Sequence, residues 1–222
     1  MTEQDSPNSN DLEGVKIISD TEELLQYGII RAAIPESVDN KKWATELSQV
    51  TPEIMAGEGD SEYAFYRNIM EEPDFPFDAI LGESSKIREA ILHHFDIGNT
   101  NELRLDDAFC VHYNEEQDDT SGAKHIDPSD ITVNLCLEKT DGAQGSHVLF
   151  YGTKQLRGAS ENDKQSPTRF LVSQDAGYAT IHWGNHPHET MALKSGKRTN
   201  IVMTFCYTDA TRSDVGSRTC YA

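Results

Sequence analysis

The sequence predicts an α+β fold in which short helices precede an antiparallel β-sandwich or barrel. Two observations carry this expectation. Apolar residues recur at helical spacing in parts of the first hundred residues, and from about residue 103 the chain becomes a series of short β-branched and aromatic runs. These runs are separated by Gly, Asp, Asn and Lys turns. A length of 222 residues suits one domain with a sizeable core. The expected organisation is a mobile acidic N-terminus over 1–13 and a single domain over 14–222. Within it, helical support spans 14–100 and the β core spans 101–210.

The elements follow in order. Residues 15–19 suit a short strand. Asp20-Thr21-Glu22-Glu23 then opens a helix leading to Leu24, Leu25 and Tyr27. A second short helix is expected at 39–49, with Trp43, Ala44 and Leu47 on one face. The stretch 51–82, rich in Pro, Gly and acids, reads as irregular packed loops with Tyr63, Phe65, Tyr66, Phe75 and Phe77 interleaved. Residues 84–95 form the best helix, capped by Ser84, with Ile87, Ala90, Ile91 and His94/Phe95 at helical spacing. Strands are expected at 103–105, 109–113, 131–137, 147–151, 178–183 and 200–207. Residues 157–168 read as an exposed loop.

Charge and cysteine usage narrow the function classes. A formal net charge of -19 disfavours phosphate backbones and anionic membranes as partners. There is no run of 18 apolar residues, so no membrane span is expected, and the acidic start lacks the pattern of a secretory signal. A cytoplasmic or nuclear location is the expectation. Cys110, Cys136, Cys206 and Cys220 show no paired spacing and read as buried reduced thiols.

Chemistry concentrates in the strand-rich half. In His125-Ile126-Asp127, residues i and i+2 of an extended segment point to one side, so imidazole and carboxylate can share a metal. His188 follows 61 residues after Asp127, behind a strand and a turn. Two neutral imidazoles and one carboxylate on one face leave open positions, the facial triad that suits non-haem Fe(II) oxygenases. Arg198, ten residues after His188, opens the last long strand. Its guanidinium fork suits a carboxylate held by two parallel charge-assisted hydrogen bonds.

Residues 108–207 resemble the Fe(II)/2-oxoglutarate-dependent dioxygenase superfamily, particularly its prolyl 4-hydroxylase-like branch. The resemblance is carried by Val111-His-Tyr113, His125-Ile-Asp127, Ile131-Thr-Val-Asn-Leu-Cys-Leu137, Gly177 to His188, and Gly196-Lys-Arg198. It implies a double-stranded β-helix (jelly-roll) core with N-terminal helices packed on one sheet. It implies His125, Asp127 and His188 as catalytic metal ligands, and Arg198 with Tyr113 on the 2-oxoglutarate carboxylate. Asn134 and Thr132 become candidate pocket-lining residues. The implied cofactors are Fe(II), 2-oxoglutarate and O2, with ascorbate as an accessory reductant. The implied reaction couples decarboxylation of 2-oxoglutarate to succinate with C–H hydroxylation of a protein side chain or small molecule. One departure stands out: Gly145-Ser146-His147 replaces the branch's usual Gly-Gly-Glu.

Competing readings attach to several residues. His186 is the rival third ligand, and the spacing to Arg198 favours His188. His182 reads as a core histidine over a pocket-lining one, His147 as a strand-edge histidine over a substrate contact, and Asp130 as a turn residue or outer partner of the triad. The 63–77 aromatics suit packing against the sandwich or a substrate lid. Competing functions are desaturation or ring formation on the same fold, a cupin-like metal enzyme, and a non-catalytic binding module.

Overall fold

The computed structural model describes residues 12, 14–49, 65–70, 72–117, 119–159 and 168–213. Helix α1 (Thr21–Gln26) is capped by the Asp20 carboxylate, which accepts from the Glu23 amide. It leads into strand β2 (Ile29–Ala33). Helix α2 (Asn40–Leu47) buries Trp43, Ala44 and Leu47, as its spacing predicts. Two elements lie in the stretch expected to be irregular: strand β3 (Phe65–Asn68) and a one-turn helix α3 (Phe77–Ile80). The best helix, α4, spans Lys86–His94, and its cap is Ser85 rather than Ser84. The Ser85 hydroxyl accepts from the amides of Ile87 and Arg88. The expectations for Tyr63, Cys220 and nearly all of 1–13 fall outside the described residues, as does 160–167 of the expected loop.

Two sheets form the core. A six-stranded sheet runs β2-β10-β6-β13-β4-β3, and a five-stranded sheet runs β1-β9-β8-β11-β5. In the first, β4 (Leu103–Asn114), β6 (Ile131–Lys139), β10 (Tyr178–Trp183) and β13 (Lys197–Tyr207) pair antiparallel. The expected strands at 103–105 and 109–113 are one strand. Asp106 and Asp107 are poor strand formers, but pairing along the length of β13 carries the strand through them, with a bulge at Thr204/Phe205. In the second sheet, β8 (Val148–Tyr151) is flanked by β9 (Arg169–Val172) and β11 (His188–Thr190), and β5 (Gly122–His125) lies at the edge. Strand β1 is only Ile17–Ile18, and β7 (Gln144–Gly145) pairs antiparallel with β12 (Leu193–Ser195) in a small two-stranded sheet. This is the double-stranded β-helix architecture with helices on one sheet.

Alternation in the large sheet decides where the site forms. Ile131, Val133 and Leu135 of β6, Ala179 and Ile181 of β10, and Ile201 and Met203 of β13 belong to one buried cluster. That cluster also holds Trp43, Ile87, Ile91 and Phe95 of the helical layer. The intervening residues face the other sheet instead. The second sheet closes over them with its own apolar cluster, which includes Val148, Phe150, Phe170 and Val172. Cys110, Cys136 and Cys206 are buried and free, and burial pushes the Cys110 thiol up to about 12. Among the described residues, no helix is long and apolar enough to cross a membrane.

Candidate metal centre and cosubstrate cleft

Between the sheets lies a cleft of about 640 Å³, counting its open mouth. Alternate residues of four adjacent strands line it: Phe109, Val111 and Tyr113; Thr132 and Asn134; Thr180 and His182; Arg198, Asn200 and Val202. The opposite wall comes from Val148, Phe150, His188 and Thr190. His125 and Asp127 stand beside His188, and His125 pairs directly with His188 across β5 and β11.

His125, Asp127 and His188 each offer one ligand atom, all within 4.8 Å of one another. The tautomers are set by the backbone. His125 Nδ1 donates to the Ala123 carbonyl at 2.7 Å, and His188 Nδ1 donates to the His186 carbonyl at 2.9 Å. Each Nε2 therefore carries a lone pair. Both face the same atom, Asp127 Oδ1, at 3.4 Å and 3.8 Å. The other carboxylate oxygen, Oδ2, accepts from the Thr132 hydroxyl at 2.5 Å. Asp127 and His188 side chains are about one-tenth exposed while that of His125 is 48% exposed, so His125 forms the open rim.

Electrostatics matches a cation seat. Burial pushes the His188 imidazole down to about 4, keeping it neutral and able to act as a ligand. Burial opposes the charge on Asp127, but His125, His188, His182 and Thr132 outweigh it and hold the carboxyl below its usual range. Once protonated, His125 Nε2 can donate to Asp127, which favours the charged ring and raises the His125 imidazole. Two imidazole nitrogens and one carboxylate oxygen converging on one point suit Fe(II), and the open side leaves positions for further ligands.

Arg198 lies opposite Tyr113 in the β13–β4 pairing and opposite Lys139 in the β13–β6 pairing. It is buried in the cleft, its Nη1 donating to the Ser146 carbonyl at 2.9 Å. Ser146 sits at φ 60°, a left-handed conformation in the segment where this chain departs from the resembled branch. His147 is half-buried beside it and is not on the cleft wall. The Tyr113 hydroxyl donates to the Ser121 carbonyl at 3.1 Å.

The cleft thus gathers His125, Asp127, His188, Arg198, Tyr113, Asn134 and Thr132. His186 turns away: its Nε2 donates to the Gly152 carbonyl at 3.2 Å. His182, read from sequence as a core histidine, is buried but lines the cleft, its ring centre 4.9 Å from that of His188. Asp130 serves the backbone, its carboxylate accepting from the Tyr207 amide at 2.9 Å. Sequence reasoning passed over Gln174, Thr180 and Asn200. Asn200 Nδ2 donates to Asn134 Oδ1 at 2.6 Å and to Gln174 Oε1 at 3.2 Å, forming a buried polar floor. A signal existed for two of them: Asn200 shares a strand face with Arg198, and Thr180 with His182.

No family model matches the chain. It is 27% identical over 95 residues, 43% of its length, to a 2-oxoglutarate and iron-dependent oxygenase domain-containing protein, ICU11, of Arabidopsis thaliana. The matched region spans 23% of that relative's own length, so the likeness covers only part of it. Among solved structures, the fold matches an oxidoreductase of the 2OG-Fe(II) oxygenase family from Burkholderia pseudomallei. The TM-score is 0.56 at 11% identity, over 87% of this chain and 95% of that one. A prolyl-4-hydroxylase from Pseudomonas putida matches with TM-score 0.50 at 17% identity, over 84% of this chain and 96% of that one. The prolyl 4-hydroxylase branch is therefore not singled out: its representative fits the fold no better than the Burkholderia oxidoreductase.

Proposed function

We infer that this chain is a member of the 2-oxoglutarate and Fe(II)-dependent oxygenase superfamily, and we propose that it couples oxidative decarboxylation of 2-oxoglutarate to hydroxylation of a C–H bond. The substrate class proposed is a protein side chain or a small molecule. The observation that carries the reading is the convergence of His125 Nε2 and His188 Nε2 on Asp127 Oδ1, in the cleft that also holds the buried Arg198. Fe(II) and 2-oxoglutarate, when bound, supply the activation of O2 and the formation of succinate and CO2.

The protein's own part is binding, orientation and exclusion of water. His125 and His188 turn Nε2 toward the metal position because their Nδ1 protons are committed to backbone carbonyls. Asp127 contributes one negative charge and one oxygen. Arg198 supplies a fixed positive charge at a buried position, suited to the remote carboxylate of a dicarboxylic cosubstrate. Val148, Phe150 and Val202 form apolar walls between these charged ends, which strengthens the electrostatics inside the cleft. The acidic net charge of -19 favours a neutral or basic substrate over a nucleic acid.

The test is anaerobic addition of Fe(II) and 2-oxoglutarate while watching for the metal-to-ligand charge-transfer band of the chelate. The wild-type chain is expected to give the band, and His188→Ala to lose it. Absence of the band in the wild type would remove the cosubstrate assignment. Succinate release during aerobic incubation identifies a substrate, and the product mass, a gain of one oxygen atom or a loss of two hydrogens, then separates hydroxylation from desaturation or ring formation.

A further inference from the structure

Asp127 has two carboxylate oxygens, and the same one, Oδ1, makes the nearest approach to both histidines. The other is occupied by Thr132, whose hydroxyl donates to Oδ2 at 2.5 Å. Thr132 is itself held. Its hydroxyl lies 3.0 Å from the Ser129 hydroxyl, and Thr132 and Ser129 are both fully buried. Thr132 sits in β6 directly between His182 of β10 and Thr204 of β13, so its backbone is fixed by pairing on both sides. A carboxylate in a dry site is free to rotate between one-oxygen and two-oxygen coordination unless its second oxygen has a partner. Here that partner is a short, charge-assisted hydrogen bond from a side chain anchored in the centre of a sheet.

We propose that Thr132, backed by Ser129, is a positioning residue that holds Asp127 as a one-oxygen ligand and so keeps an additional position at the metal open. The inference rests on the oxygenase reading above, because the open positions matter only if a chelating cosubstrate and O2 must both bind. Asp127 is reached from a second direction as well: its amide donates to the Gly184 carbonyl at 2.9 Å, so backbone and side chain are fixed independently. The side-chain anchor is therefore separable by mutation from the turn that carries Asp127.

The test uses Mn(II) and Co(II) binding to the metal-free protein, measured by titration calorimetry and by the Co(II) visible spectrum. Thr132→Val keeps the shape and removes the hydroxyl; Thr132→Ser restores it. Valine is expected to weaken Mn(II) binding by about 10–100-fold, the usual effect of losing an outer hydrogen bond to a metal ligand. It should also shift the Co(II) bands as the coordination changes. Serine should return both to within a few-fold of wild type. Ser129→Ala keeps Thr132 and should give a smaller loss in the same direction, which preserves the test if the valine variant does not fold. Wild-type affinity and spectrum in Thr132→Val, or in Ser129→Ala where only that variant folds, overturn the proposal. So does a serine variant no better than valine. A wild-type chain that binds neither metal would instead remove the metal reading itself, and this proposal with it.

Discussion

Arg198 stacks on Tyr113: the two are directly paired across β13 and β4, with the guanidinium carbon 5.2 Å from the ring centre. The aromatic face and the Ser146 carbonyl together fix the guanidinium in the cleft. Arg198→Ala should weaken 2-oxoglutarate binding by about 30-fold or more, from the loss of roughly 2 kcal/mol or more in a buried charge-paired contact. Mn(II) affinity should stay within a few-fold of wild type, because the metal ligands sit elsewhere. Calorimetric titration of each in turn checks the split. Equal loss of both would mean that the substitution collapses the cleft, and no loss of 2-oxoglutarate affinity would mean that another group holds the carboxylate.

Tyr113 gives a contrasting expectation. Its hydroxyl proton is already committed to the Ser121 carbonyl, so it has none to give to a carboxylate in this arrangement. Tyr113→Phe should cost about 1 kcal/mol of stability, the worth of one ordinary hydrogen bond. It should leave the ring under Arg198 and change 2-oxoglutarate affinity by less than about threefold, well under 1 kcal/mol. Urea unfolding and cosubstrate titration measure the two effects separately. A tenfold loss of affinity would show that the hydroxyl leaves Ser121 when the cosubstrate binds.

The candidate metal triad was legible in sequence for a physical reason. His125-Ile126-Asp127 fixes two ligands by local geometry alone, and His188 stands at a recognisable distance from Arg198. Thr132 and Asn134 were named through the family resemblance, and the alternation of β6 between apolar and polar residues is what turns both to the cleft. What escaped depends on tertiary partners. Strands β2, β5 and β9 form because a neighbour supplies the ladder. Gln174 lies just beyond the end of β9, and nothing local shows that its amide reaches Asn200 and Thr180. His182 looked like a core residue because it is one. It is buried, and only the sheet packed opposite makes its face the cleft wall.

Gly184 links the fold to the ligand set. A Cβ there would overlap the carbonyl and hydroxyl oxygens of Ser129, the residue that backs Thr132. The Gly184 carbonyl also accepts from the Asp127 amide. Gly184→Ala should destabilise the chain by about 1–3 kcal/mol through overpacking. For a domain of this size that is a fall of about 2–4 °C per kcal/mol in thermal midpoint. Metal affinity should fall with it, since both supports of Asp127 move. Gly177→Ala is a useful contrast: its backbone is left-handed, unlike that of Gly184, and it is outside the cleft lining, so it should cost stability while leaving Mn(II) binding intact. Calorimetric scans and metal titrations on the two variants separate the effects.

Acid should unfold the metal-free protein through its buried histidines. His182, His186 and His188 are each pushed down to about 4 by burial, against 6.5 for an ordinary imidazole. Burial also lowers His112 and His147. Below pH 6.5 the unfolded chain takes up protons at these positions that the folded chain refuses. The unfolded state then binds more protons, and stability rises with pH across this window. The stability these residues contribute is fully present above 6.5 and is lost as pH falls from 6.5 toward 4. His125 works the other way. Its imidazole is raised by Asp127, so its contribution is present at low pH and lost as pH rises through its folded value. Asp127, held below its usual range, adds stability that disappears only below the carboxylate range, under the histidine window. Five lowered histidines against one raised leave the acid-side loss dominant. Urea midpoints of metal-free protein should therefore fall between about pH 7.5 and about pH 5, whereas a chain with normal imidazoles would show little change from this source. Saturating Mn(II) at the higher pH should raise the midpoint further, because the metal binds the neutral folded histidines in preference to the unfolded chain. A flat midpoint across that range would contradict the burial of these three rings.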